Sequence, residues 1–140
     1  MKKKVIIVLL LVSMFMLVSC KEASETNAKD ALVEYLDCYN TNDIDTFNKM
    51  SMQKGNIENL KNVIKLKVLT IEEIKGERLD NAKREYKMYG LPNDNIKIFL
   101  VKFNVDYDKE FIDNVGDKIW NFYIYQDKNK KWIIYNYGVG

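Results

Sequence analysis

Hydrophobic and polar positions follow three different rhythms along this 140-residue chain. Val5 to Val18 is apolar throughout except at Ser13. From Ala28 to Tyr39 the apolar residues Ala28, Leu32, Tyr35, Leu36 and Tyr39 recur at helical spacing, with Thr26 or Asn27 placed to cap the first turn. The polar triplet Asn40-Thr41-Asn42 stops that stripe. A second short helix is predicted from Asp43, with Ile44, Phe47, Met50 and Met52 on one side, and residues 56–62 add a further helical turn. The rhythm then changes to that of strands. Val63 to Ile74 is rich in β-branched and aliphatic residues, and Ile96 to Tyr107 places Phe99, Val101, Phe103, Val105 and Tyr107 on one face with Lys102, Asn104 and Asp106 on the other. Between them, Leu79, Ala82, Tyr86 and Tyr89 stand among charges as a weakly amphipathic helix or a long excursion that ends at Gly90-Leu91-Pro92. Ile119–Tyr125 and Trp132–Tyr137 are two closing strands, joined by a polar hairpin in which Asn129 suits the left-handed conformation of a tight turn.

The first 20 residues carry their own message. Lys2, Lys3 and Lys4 precede the apolar run, which is the order of a secretory signal. A spanning helix needs roughly 20 apolar residues, and this run is followed at once by Ser19, Cys20, Lys21 and Glu22. Leu17-Val18-Ser19-Cys20 resembles the lipobox of bacterial lipoproteins. The resemblance implies cleavage between Ser19 and Cys20, and a diacylglyceryl group on the Cys20 thiol. It also implies a chain held on the extracytoplasmic face of the cell membrane by its lipid. The organisation expected is therefore a signal peptide over 1–19, a small polar tether over 20–27, and one domain over 28–140.

Loss of the leader changes the charge balance. Without its three lysines, the 22 Lys+Arg fall to 19 against 20 Asp+Glu, so a whole-chain charge of +2 becomes −1. Such a surface, with no contiguous basic stretch, argues against nucleic acid as a partner and shows no linear patch for anionic lipid. With Cys20 committed to lipid, Cys38 has no disulfide partner and reads as a small buried hydrophobe.

Helices first and an antiparallel meander afterwards predict an α+β domain in which the N-terminal helices cover one face of a curved sheet. The amphipathic first helix, the short helix at Asp43-Ile44-Asp45-Thr46-Phe47, and the strands holding Trp120-Asn121-Phe122 and Trp132-Ile133-Ile134 look like the nuclear transport factor two-like, or cystatin-like, cone. More narrowly, residues 28–140 resemble a domain of unknown function found in lipoproteins of low-GC Gram-positive bacteria.

The chain contains no histidine, which removes the usual general base and the commonest metal ligand. No metal or cofactor is expected. The alternating Asn104, Asp106, Asp108 and Glu110 lack the glycine and spacing of a calcium loop. Some cone-fold relatives are isomerases or dehydratases, and Asp37, Asp106, Tyr35, Tyr39 and Tyr123 supply the residue types that such chemistry uses. Against this stands a non-catalytic accessory or binding domain with Tyr35, Tyr39, Tyr135 and Tyr137 as pocket residues for a protein, peptide or glycan. Trp120 and Phe122 are expected in the core, and Tyr135 and Tyr137 at the surface or at a pocket mouth.

Overall fold

The structure is a computed structural model, described here over residues 27–52, 57–91, 95–108 and 116–139. The apolar run, Ser19 and Cys20 lie outside the described residues. So do the alternative cap Thr26 and Glu110, the last of the alternating polar residues after Asn104.

The element order is α1 (Ala28–Thr41), α2 (Ile44–Met50), α3 (Ile57–Asn62), β1 (Val63–Ile74), α4 (Glu77–Met88), β2 (Ile96–Tyr107), β3 (Gly116–Gln126) and β4 (Trp132–Val139). Asn27 caps α1, its side-chain oxygen accepting from the Asp30 backbone N–H at 2.9 Å. The helix ends where Asn42 turns left-handed, at φ 55°. Asp43 begins α2 at once by accepting from the Thr46 N–H at 3.0 Å, a bond that also holds the Asp43 carboxyl below its ordinary pKa. A single residue of left-handed backbone therefore turns one helix into the next.

The four strands form one antiparallel sheet in the order β1-β2-β3-β4, curved and unclosed. The predicted α+β class is observed. Two bulges interrupt the pairing of β1 with β2, and one interrupts β3 with β4. Helices α1 to α3 lie on the face that carries Phe99, Val101, Phe103, Val105, Phe122, Ile124 and Ile134. Leu32, Tyr35 and Phe47 in this layer have no solvent exposure. Cys38 is buried there too, as expected, with its thiol directed to the Glu34 carbonyl at 3.4 Å.

The sheet is covered on more than one side, which the pattern of the chain did not predict. Residues 77–88 do form a helix, and α4 packs on the opposite face, where Tyr86 meets Ile96 and Tyr125 with Tyr123, Ile133 and Tyr135 around them. This explains why the first half of β2 buries both Ile96 and Ile98 on one side and Phe99 and Val101 on the other. Alternation holds only from Val101 onward, where the second face is bare. Among the described residues, no helix is long and apolar enough to cross a membrane.

The hairpin between β3 and β4 also differs from expectation. Lys130, not Asn129, takes the left-handed conformation, at φ 61°. The Asp127 carboxylate accepts from the backbone N–H groups of Asn129 and Lys131, and the Asp127 carbonyl accepts from Lys130 N–H. These bonds place the positive φ one residue later than the side chain best suited to it.

Candidate functional site

On the α1 face, β3 and β4 supply an aromatic row that the helices close. Tyr35 stacks on Phe47 with ring centroids 4.9 Å apart and meets Phe122 edge-on at 6.4 Å. Phe122 stacks on Tyr137 at 5.5 Å, Tyr137 on Trp120 at 5.3 Å, and Trp120 meets Phe103 edge-on at 5.3 Å. Tyr39 stands edge-on to both Tyr35 and Phe47. Aromatic pairs in these offset and edge geometries each add about 0.5–1.5 kcal/mol beyond their buried area. The row is therefore a stiff part of the core.

Within that apolar layer lies a small group of hydroxyls. The Tyr35 hydroxyl is buried without a hydrogen bond of regular geometry, and the Tyr39 and Ser51 hydroxyls lie beside it. Burial, with the neighbouring phenols, holds both Tyr35 and Tyr39 protonated well above the ordinary tyrosine range. The hollow next to them, between Leu36, Tyr39, Leu66, Tyr107 and Tyr137, measures about 10 Å³, which is room for about one water.

Tyr35, Tyr39 and Tyr137 share this layer, and Tyr135 is not among them. The bulge between the pairs Tyr123–Asn136 and Ile124–Ile134 makes Tyr135 the extra residue of β4. Its ring turns to the second face and lies 4.6 Å from that of Tyr86. The bulge also exchanges the faces of the residues after it, so Tyr137 joins Trp120 and Phe122. Trp120 is only partly buried, not wholly in the core. Phe47 and Ser51 were not foreseen here; Ser51 arrives through a parallel bridge to Ile134 that follows α2.

The groups that acid–base chemistry would need are apart. Asp37 is exposed on α1, Asp106 is exposed on the bare second face of the sheet, and Tyr123 belongs to the Tyr86 cluster. Among the described residues the buried members of the polar and charged residue types are Ser51 and Asn121, and neither is a carboxylate.

Two open grooves flank α1. One, of about 350 Å³, runs between α1 and β1, where Val33, Leu36, Leu66 and Val68 are bordered by Asp30 and Asp37. The other, of about 500 Å³, lies between α1, α2 and the β3–β4 hairpin, with Trp132 and Met50 at its base and Lys49, Lys130 and Lys131 on its walls.

No curated protein and no solved structure matches the chain. A sequence family does, over residues 29–138, a range that reaches from the first turn of α1 into the last residues of β4. The chain therefore belongs to the family described as Domain of unknown function (DUF4829).

Proposed function

We propose that this protein is a lipoprotein anchored through Cys20 on the extracytoplasmic face of the cell membrane, and that its domain binds a target without transforming it. The anchor rests on the order of Lys2–Lys4, the apolar run and Leu17-Val18-Ser19-Cys20. Helices laid on a curved sheet are compatible with the cone architecture of nuclear transport factor two-like domains. The observation that carries the binding role is the filled interior. Where such a cone would hold a substrate, Tyr35, Phe122, Tyr137 and Trp120 occupy the space and leave about 10 Å³. The space available to a ligand is outside, in the grooves beside α1.

Two measurements test this reading. Cells expressing the full chain should incorporate radiolabelled palmitate into it, and Cys20→Ala should abolish the label; a persistent label overturns the anchor. A photo-crosslinking residue at Val33, in the α1–β1 groove, should give a discrete envelope adduct that the same residue at Met88 on α4 does not. Equal labelling from both positions, or from neither, overturns the binding role.

A further inference from the structure

The second groove has a composition that the linear sequence conceals. Lys49 comes from α2, Lys130 and Lys131 from the hairpin, and Trp132 and Met50 form the apolar floor between them. Lys128 projects from the same hairpin and is exposed. Against these lysines the groove holds two acidic residues, Glu34 on α1 and Asp127, whose carboxylate also holds the hairpin backbone. The cluster is thus net positive around a half-buried indole, on a mature chain whose overall charge is −1.

Its position matters as much as its charge. Ala31 and Glu34, in the first half of α1, belong to the same groove. The N-terminus of α1 therefore lies at the hairpin end of the sheet, while Asn40 at its far end reaches β1 at Leu66. Cys20 is seven residues before Asn27, and seven residues span at most about 25 Å. The tether to the lipid therefore leaves the domain at the end that carries these lysines.

From this we infer that the hairpin lysines, with Lys49 and Trp132, form a docking face for the anionic phospholipid surface of the membrane that anchors the chain. The inference rests on the lipoprotein reading above. Lysines reach phosphate oxygens as mobile point charges on apolar stems, and an indole beside them suits the boundary between headgroup and hydrocarbon. The acyl group holds the domain near the bilayer and the basic face fixes its orientation, so the acidic α1–β1 groove stays open to the envelope. Lys130 adds a second observation. A lysine at φ 61° occupies backbone that L-residues other than Asn, Asp or Gly avoid, and glycine would sit there with less strain. The position carries a charge where conformation alone favours none.

The test uses the full acylated protein reconstituted into phosphatidylcholine vesicles with or without phosphatidylglycerol, with lysine accessibility read by amine-reactive mass tagging. Labelling of Lys49, Lys128, Lys130 and Lys131 should slow several-fold when phosphatidylglycerol is present and recover at high salt. Lys61 and Lys65, at the opposite end of the sheet, should be unaffected. Lys130→Gly should raise the thermal midpoint while weakening the protection, and Lys130→Glu with Lys131→Glu should remove it. Equal labelling on both vesicle types, with the acylated protein retained, overturns the docking face and leaves the anchor standing; loss of palmitate overturns the anchor itself. Protection on native membranes that is absent on phosphatidylglycerol vesicles also overturns it, and assigns the face to a protein partner.

Discussion

At the scale of single residues, Asn40 shows how a polar side chain can be structural although it ends a helix. Its amide nitrogen donates to the Leu66 carbonyl at 2.9 Å, and its oxygen accepts from the Leu66 N–H at 2.8 Å. Both backbone groups belong to β1, which lies at the edge of the sheet. An unpaired edge invites a strand from another chain, and one asparagine from α1 satisfies it in both directions. Each such bond contributes about 0.5–1.5 kcal/mol. Asn40→Ala should therefore lower unfolding free energy by about 1–3 kcal/mol in urea denaturation, and should increase self-association by sedimentation velocity. Unchanged stability and an unchanged monomer fraction would exclude this role. In the sequence Asn40 is legible only as part of the break Asn40-Thr41-Asn42, because its partner is 26 residues away.

At the scale of elements, α4 is the part that pattern predicted least well. Between Glu77 and Met88 only Ala82 and Tyr86 are buried, too few to make a clear stripe. The helix is capped by Gly76 without a side-chain bond and is held mainly by packing on the second face of β2 and β3. Tyr86 carries most of that packing, with 1% exposure and a hydroxyl that has no partner. Tyr86→Ala should cost about 3–5 kcal/mol, as removal of a large buried ring does. Tyr86→Phe should cost nothing or stabilise slightly, since it deletes an unsatisfied buried hydroxyl and keeps the ring. Chemical denaturation of both variants decides the matter; a large loss in Tyr86→Phe would mean that the hydroxyl has a partner after all. The other elements were easier to read. β1 and β2 begin and end where their β-branched and alternating residues do, and α2 starts at the aspartate that caps it.

Across the whole molecule, the buried titratable groups act together on stability. Burial, with Asp43 and Glu34 nearby, pushes the Cys38 thiol from 9.0 up to about 11, and burial raises Tyr35, Tyr39 and Tyr86 as well. In each case the neutral, protonated form is the one the fold accepts. The stabilisation is thus fully present below the unfolded-state value and is lost as pH rises through the folded one. Unfolding free energy should be insensitive to these groups at pH 7 and should fall as pH rises from about 9 toward 11. Urea titrations across that range check the sign; rising stability would contradict the burial of these groups. The Cys38 thiol should also react slowly with a disulfide reagent in the native protein and rapidly in denaturant, since only the thiolate attacks.

Local periodicity alone gave the helices at the start of the domain and the antiparallel strands that follow them. Helical spacing in Ala28–Tyr39 and alternation in Ile96–Tyr107 report local geometry, because side-chain direction repeats every 3.6 residues in a helix and every two in a strand. The expectation of helices followed by an antiparallel meander came from that arithmetic. What it could not decide was anything set by a neighbour distant in the chain. A bulge in β4 sends Tyr135 away from Tyr137, and a helix of low amphipathicity covers the second face. Each depends on hydrogen bonds or packing across the fold, and no local period records them. The basic face around Trp132 is of the same kind: Lys49 is about 80 residues from the hairpin in the chain and beside it in the structure.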